Sequence, residues 1–272
     1  MSAYARPTDL TEALTLLARG YRILAGGTDV YPSAAATLKG DTLDITALPM
    51  LSGIRQGNGL RIGAATTWTT IAEATLPPAL AALQHAARTI GGHQIQNAAT
   101  IGGNLTNASP AADGIPPLLI LDAEVELTSL HTTRRIPLLA YLIGPRRVDL
   151  RTGELLTAIL IPEAAVQGRS IFAKLGARSH LVISIAMIAV RIVTLGDRIT
   201  QACAAVGACS ATAQRLAMVE AALLGPSHDA AGRLHPDQLA SLCPIDDIRA
   251  TASYRRDAAL ELVRRAVQAL TR

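Results

Sequence analysis

The stretch Tyr21-Arg22-Ile23-Leu24-Ala25-Gly26-Gly27-Thr28-Asp29 runs an apolar strand straight into a pair of glycines. A second pair stands in Thr100-Ile101-Gly102-Gly103-Asn104-Leu105. Glycine tolerates positive φ and lets a ligand approach the backbone with no Cβ in the way. Consecutive free N–H groups in such a turn form a concavity suited to a phosphate or pyrophosphate. Thr28, Asn104 and Ser109 can add side-chain donors. Read singly, each pair is more often a plain tight turn. Neither is a P-loop, since no Gly-Lys-Ser/Thr follows. Neither is the fingerprint of a doubly wound nucleotide fold, and Gly57, Gly59 and Gly63 have the wrong spacing for one.

Working outward, Asp9 can cap a helix that carries Leu10, Ala13, Leu14 and Leu17 on one face, with Gly20 as its stop. Strands are expected at Thr42–Ile45 and Leu60–Ala64, and a helix over Pro77–Ile90 that Gly91-Gly92 breaks. The chain then passes through Gln94–Ala98 to the second glycine pair. Ser109-Pro110 has the form of an N-cap followed by a first-turn proline, which puts Asp113 in the opening turns of a helix. Strands follow at Val125–Ser129 and Leu155–Ile161. After a softer boundary at Glu163–Gly168, three extended segments predict an antiparallel meander: Ser170–Leu175, Ile183–Val193 and Ile199–Val206. Helices over Thr212–Leu224 and Ser253–Leu270 close the chain, so the fold class is α+β.

The 272 residues suggest two domains, and 50% hydrophobic content against 17% charged excludes disorder. Aromatics at 3% leave few platforms for stacking bases, which counts against nucleic-acid binding. The net charge of +4 comes from 25 basic and 21 acidic residues, and pairs such as Arg134-Arg135, Arg146-Arg147 and Arg264-Arg265 read as solvated surface. Three cysteines, Cys203, Cys209 and Cys243, give no disulfide framework and no C-x-x-C site. No signal segment opens the chain, and its longest apolar run, Leu181–Val190, is far short of the roughly 20 residues of a membrane span. A cytoplasmic protein without membrane insertion is expected.

Catalytic signatures are missing. The histidines at 85, 93, 131, 180, 228 and 235 show no metal-ligand spacing, and no G-x-S-x-G elbow occurs. His93 reads as a surface residue, and Cys203 and Cys209 as small core residues. Asp113 fits either a helix cap, favoured by the macrodipole, or an acceptor for the hydroxyls of a sugar or ribityl chain. No catalytic residue and no metal ligand stands out, so any redox chemistry would belong to a cofactor.

In order along the chain, Leu24-Ala25-Gly26-Gly27-Thr28-Asp29, Thr100-Ile101-Gly102-Gly103-Asn104-Leu105, Asn107-Ala108-Ser109-Pro110-Ala111-Ala112-Asp113 and Leu118–Ala123 resemble one family. It is the FAD-binding (medium) subunit of molybdenum hydroxylases, the group that includes carbon monoxide dehydrogenase and xanthine dehydrogenase. Gly153-Glu154-Leu155 with Ile161-Pro162 is similar to the end of its flavin domain. Phe172-Ala173-Lys174, Gly176-Ala177-Arg178, Gly207-Ala208, Gln214-Arg215, Asp247-Ile248-Arg249 and Tyr254-Arg255 are similar to its C-terminal domain.

The resemblance implies a two-part FAD-binding domain of the PCMH/vanillyl-alcohol-oxidase type over residues 1–165, with lobes at about 1–55 and 56–165. A C-terminal domain over 166–272 would hold a small antiparallel sheet and helices. It implies that Ala25, Gly26, Gly27, Thr28 and Asp29, with Thr100, Ile101, Gly102, Gly103 and Asn104, hold the FAD pyrophosphate through backbone amides. Ser109 and Asp113 would contact the ribityl and pyrophosphate portion, and Ile90 would pack against the flavin ring. Lys174, Val182 and Ile183 would approach the isoalloxazine from the C-terminal domain. Gln96 stands where many relatives carry Arg and Thr200 where some carry Lys, and no cysteine-rich insertion for a cluster is present.

FAD is therefore the cofactor implied here, with molybdopterin and [2Fe-2S] clusters confined to partners: a large molybdopterin-binding subunit and a small iron–sulfur subunit, in a dimer of heterotrimers. The implied role is electron transfer from the iron–sulfur subunit through FAD to an acceptor such as NAD, oxygen or a quinone. The same fold would also suit a self-contained flavoprotein oxidoreductase or a non-catalytic nucleotide-binding scaffold.

Overall fold

A computed structural model describes residues 2–34 and 38–272. The chain opens with β1 (Tyr4–Ala5), α1 (Leu10–Ala18), β2 (Arg22–Leu24), α2 (Val30–Ser33) and β3 (Thr42–Asp44). The strands form a parallel sheet in the order β1-β3-β2. Asp9 caps α1, accepting the Glu12 N–H at 3.0 Å, and Gly20 ends it with φ 92°. Leu14, Leu43, Leu48 and Leu51 make the small core under this sheet.

The middle of the chain contains β4 (Ile54–Gly57), β5 (Gly59–Gly63), α3 (Trp68–Glu73), α4 (Ala81–Thr89), α5 (His93–Ala98), α6 (Ile101–Asn107) and α7 (Ile115–Leu119). It continues with β6 (Glu124–Thr128), β7 (Thr133–Pro137), α8 (Leu138–Tyr141), β8 (Leu142–Gly144), β9 (Arg147–Val148) and β10 (Leu155–Ile161). An antiparallel sheet runs β4-β5-β10-β6-β7, with the apolar β10 at its centre. The register sets Ile62, Ile159, Val125 and Ile136 on the helix-facing side, packed with Trp68, Leu83, Leu105 and Leu118. The other face is polar: Glu126 accepts from Arg61 at 3.0 Å, Thr157 at 3.0 Å and Arg135 at 3.1 Å. Arg134 departs from the expected solvated surface, because it is half-buried and forks onto Glu154 at 2.7 and 2.8 Å.

The last third holds β11 (Arg169–Leu175), β12 (Ala186–Leu195), β13 (Arg198–Gly207), β14 (Gln214–Arg215), α9 (Ala217–Leu223), β15 (Gly225–Pro226) and α10 (Ala252–Thr271). The expected antiparallel meander forms in the order β11-β12-β13-β14. One face buries Ile188, Val190 and Val206 against Val263 and Val267 of α10. The two-residue period of β11 sends Ser170, Phe172 and Lys174 the other way, onto the helices of the middle region. There Ser170 donates to the Ala79 carbonyl at 2.7 Å, and Arg191 donates to the Ile120 carbonyl at 2.9 Å. Arg215 donates to the Leu119 carbonyl at 2.9 Å and pairs with Asp122 at 2.7 Å. Two guanidiniums thus cover carbonyls at the end of α7, where the backbone has no further helical donors.

Several expectations need correction. Gly102 and Gly103 lie in the first turn of α6 and not in a loop, and Gln94–Ala98 is helical. Ser109-Pro110 opens a turn, and the next helix starts only at Ile115. Gln214-Arg215 pairs with β13, so α9 begins at Ala217 instead of Thr212. Ile183 precedes β12, which starts at Ala186. No helix among the described residues is long and apolar enough to cross a membrane.

Candidate functional site

A cleft of about 560 Å³ opens between the first parallel sheet, α6 and the start of the meander. Its size lies within the roughly 300–1,000 Å³ of small-molecule sites. Its first wall is the turn that follows β2. Gly27 takes φ 71°, and a Cβ on Gly26 would collide with the Ala98 carbonyl at the end of α5. The turn is therefore seated directly on backbone. Among the described residues, the N–H groups of 26–29 have no protein acceptor. Ala25, Gly26, Gly27, Thr28 and Asp29 all line the cleft.

The second glycine pair is built differently. Thr100 caps α6, its hydroxyl accepting the Gly103 N–H at 3.1 Å. Ile101 donates to the Thr66 carbonyl at 3.0 Å, Gly102 to the Ala64 carbonyl at 2.8 Å, and Asn104 to the Thr100 carbonyl at 3.0 Å. Every N–H of this first turn is already satisfied inside the chain. The expected amide contacts to an anion are therefore not on offer here, and Gly103 has no positive φ. Ile101 is buried in the core and does not line the cleft, whereas Thr100, Gly102, Gly103 and Asn104 do.

Two residues that line the cleft each carry a buried polar atom with no partner: the Asn104 Oδ1 and the Trp68 Nε1. The Asn104 oxygen and the Trp68 ring edge flank Gly114, where a Cβ would lie 2.8 Å from the former and 2.5 Å from the latter. A buried unpaired polar group costs about 1–3 kcal/mol, so such atoms mark a place for a ligand or water. Ile90, Ile95, Leu150 and Val182 give the cleft an apolar portion. Unpaired amides, orphaned polar atoms and an apolar surface together fit a long ligand with an anionic part, hydroxyls and a ring.

Asp113 does not cap a helix, and each of its carboxylate oxygens already takes one hydrogen bond. Helix α7 has no side-chain cap, and the carboxylate accepts from Lys174 Nζ at 2.7 Å and from Ser184 Oγ at 2.6 Å. Lys174 also donates to the Thr89 carbonyl at 3.1 Å. Both members of this ion pair are only 9% exposed by side chain, so removing one would strand a buried charge. Asp113, Lys174, Ser109, Ile90 and Val182 line the cleft, whereas Ile183 is 53% exposed and does not. The Ser109 hydroxyl accepts the Ala111 N–H at 3.3 Å, a cap-like bond in a turn that never becomes a helix.

Several lining residues were not found from sequence. Trp68 carries no motif beyond being the lone tryptophan. Thr106 shares a 3.1 Å hydrogen bond with the Tyr141 phenol, which burial pushes up to about 12 and so keeps protonated. Asn107 donates to Asp29 at 3.3 Å and accepts from Arg146 at 2.8 Å. The only sequence signal for Arg146 is a Gly144-Pro145 turn before it. Among the described residues that line the cleft none is a cysteine or histidine, and none of the described His, Cys, Asp and Glu cluster as a metal site. Cys203 and Cys209 are buried, and burial raises both thiols, Cys209 to about 11.

A family model described as "FAD binding domain in molybdopterin dehydrogenase" matches residues 1–164, and one described as "CO dehydrogenase flavoprotein C-terminal domain" matches residues 172–270. The nicotine 6-hydroxylase medium subunit of Paenarthrobacter nicotinovorans is 30% identical over 97% of this chain and 95% of its own length. The xanthine dehydrogenase FAD-binding subunit of Escherichia coli O157:H7 is 38% identical over 59% of this chain, and the chain spans only 58% of that relative's length. Among solved structures, a chain of carbon monoxide dehydrogenase from Hydrogenophaga pseudoflava superposes with a TM-score of 0.89 at 27% identity, covering 99% of this chain and 96% of that one.

Proposed function

This chain belongs to the family of FAD-binding domains of molybdopterin dehydrogenases, and from that premise we propose that it is the FAD-binding electron-transfer subunit of a heterotrimeric molybdenum hydroxylase. The observation that carries the reading is the cleft itself: unpaired amides at 26–29 on one wall, and orphaned buried atoms on the lining residues Asn104 and Trp68. Residues 1–165 would hold the flavin, in lobes 1–55 and 56–165, and residues 166–272 would close the cleft with Lys174 and Val182. A sheet in each of these three portions supports that division.

A bound flavin supplies redox chemistry that no side chain here offers, taking electrons singly and giving them up as a pair. The chain's own part is to hold it. The amides of Gly26, Gly27, Thr28 and Asp29 would donate to the diphosphate, and the Asn104 oxygen and Trp68 N–H would meet ribityl hydroxyls. Ile90, Ile95 and Val182 would exclude water from the ring. Lys174 and Asp113 already neutralise each other, so they would set the shape of that end without adding net charge. The partners proposed are a large molybdopterin-binding subunit and a small iron–sulfur subunit, in a dimer of heterotrimers. The acceptor would be NAD, oxygen or a quinone. Relatives described as medium subunits and medium chains support a role within an assembly. Free thiols throughout suit a cytoplasmic setting.

The test is to purify the chain, titrate it with FAD, and then offer heterocycles and aldehydes anaerobically. One tightly held FAD per chain is expected, with no bleaching by any substrate until the iron–sulfur and molybdenum subunits are added. A folded chain that takes up no FAD overturns the flavin assignment. Bleaching without partners overturns the subunit role and makes this a self-contained flavoenzyme.

A further inference from the structure

We infer that Arg146, oriented by Asn107, is the cleft's recognition cation for a diphosphate, so that the site prefers a diphosphate-bearing nucleotide over a phosphate-free flavin. The inference rests on the flavin reading above and names a residue for it that no sequence motif marks.

Among the described residues, four charged side chains line the cleft: Asp29, Asp113, Arg146 and Lys174. Lys174 and Asp113 close on each other as a buried pair. That leaves Asp29 and Arg146 for a ligand. Asp29 belongs to the very turn whose amides are unpaired, and its carboxylate alone would repel a diphosphate settling on them. Arg146 supplies the missing positive charge. Asn107 ties the two together, donating its amide N–H to Asp29 and accepting an Arg146 Nη–H on its oxygen. Of the guanidinium's five N–H donors only this one is engaged among the described residues, which leaves the fork open for phosphate oxygens.

The backbone makes the same point. Arg146 sits at φ 54°, a left-handed conformation that a long side chain rarely takes, in the turn between β8 and β9. Its N–H is bonded to the Ala108 carbonyl at 2.9 Å, which fixes the turn to the end of α6 and holds the side chain beside Asn107. Glycine or asparagine would fill this turn with less strain. Strain kept at a cleft mouth is characteristic of a functional position.

The experiment measures FAD, ADP and riboflavin affinities of the apo-chain by flavin fluorescence and calorimetry, at low and at moderate salt. Arg146→Gly is the primary variant, because glycine accepts the left-handed turn and removes the whole side chain, guanidinium included, without straining the backbone. We expect it to bind FAD and ADP about 10-fold more weakly, the scale of one charge-assisted contact, with riboflavin unchanged and a flatter salt dependence. Arg146→Lys should recover part of the loss. Asn107→Ala should reproduce it in smaller measure, as a positioning residue would. Unchanged ADP affinity in Arg146→Gly, or an equal loss for riboflavin, overturns the inference. If the wild-type chain takes up no FAD, the flavin reading has failed, and the ADP comparison still decides the role of Arg146.

Discussion

Gly26-Gly27 and Gly102-Gly103 border one cleft by opposite means. The first pair is a true turn: Gly27 has positive φ, Gly26 rests on the Ala98 carbonyl, and the amides around them are unspent. The second pair starts a helix whose amides are all consumed by Thr100, Thr66 and Ala64. The first pair offers hydrogen-bond donors. The second offers close approach, since Gly102 lets α6 lie on Ala64 and Gly103 presents a bare Cα to the cleft. Two identical dipeptides thus do different physical work, and the neighbouring carbonyls decide which.

The comparison can be broken most strongly beyond the second pair, at Asp113. Asp113→Ala strands the Lys174 ammonium in a buried site and should destabilise the chain by about 3–5 kcal/mol, a fall in Tm of roughly 10 °C. Adding Lys174→Met should restore most of it. A small effect of Asp113→Ala in thermal unfolding would mean that the pair is not what rigidifies this side of the cleft.

Gly26→Ala comes next. Its methyl meets a backbone carbonyl that cannot swing away, so about 2–3 kcal/mol of overpacking is expected, together with loss of retained flavin. Wild-type absorbance and Tm in this variant would show that the turn is not seated as described. Gly102→Ala places a methyl 2.6 Å from the Ala64 carbonyl oxygen. It should cost about 1–2 kcal/mol and leave flavin affinity nearly intact, because no amide donor is lost. A large drop in affinity would erase the distinction between the pairs.

Gly103→Ala should have the smallest effect and the opposite sign. Residue 103 is helical, and its Cβ would meet only the Thr100 hydroxyl at 3.0 Å. Alanine should therefore stabilise α6 by about 0.5–1 kcal/mol. Calorimetry reads the stability and a FAD titration the affinity. If affinity falls while stability rises, the second pair serves ligand approach. If neither changes, it serves neither helix nor ligand.

The turn at 26–29 was legible in the sequence because strand-then-glycine has few other solutions. The helix at the second pair was not, because two adjacent glycines each weaken a helix by about 1 kcal/mol. What rescues it is tertiary: carbonyls of Ala64 and Thr66, more than thirty residues away in the chain, catch its first donors. Ser109-Pro110 misled for a related reason. The hydroxyl does bind a local N–H, yet that bond closes a turn and the helix waits until Ile115. The meander was readable from its three extended segments after the Glu163–Gly168 boundary. Val182 lines the cleft, whereas Ile183, next in sequence, is exposed and does not. Asp113 lines the cleft and pairs with Lys174, a partner the sequence did not announce, since nothing local signals a lysine 61 positions later.

The seam between the meander and the helices has a consequence for how the chain finds its shape. Its bonds join residues 61, 91 and 96 positions apart, at Lys174–Asp113, Ser170–Ala79 and Arg215–Leu119. The hairpin of β12 and β13 closes across a two-residue turn. Loop closure grows costlier with the length spanned, so local hairpins form first and long-range pairings late. Trp68, the lone tryptophan, is buried in the core that the seam completes. During refolding from denaturant, far-UV dichroism should recover ahead of Trp68 fluorescence, and seam variants such as Ser170→Ala should slow the second signal more than the first.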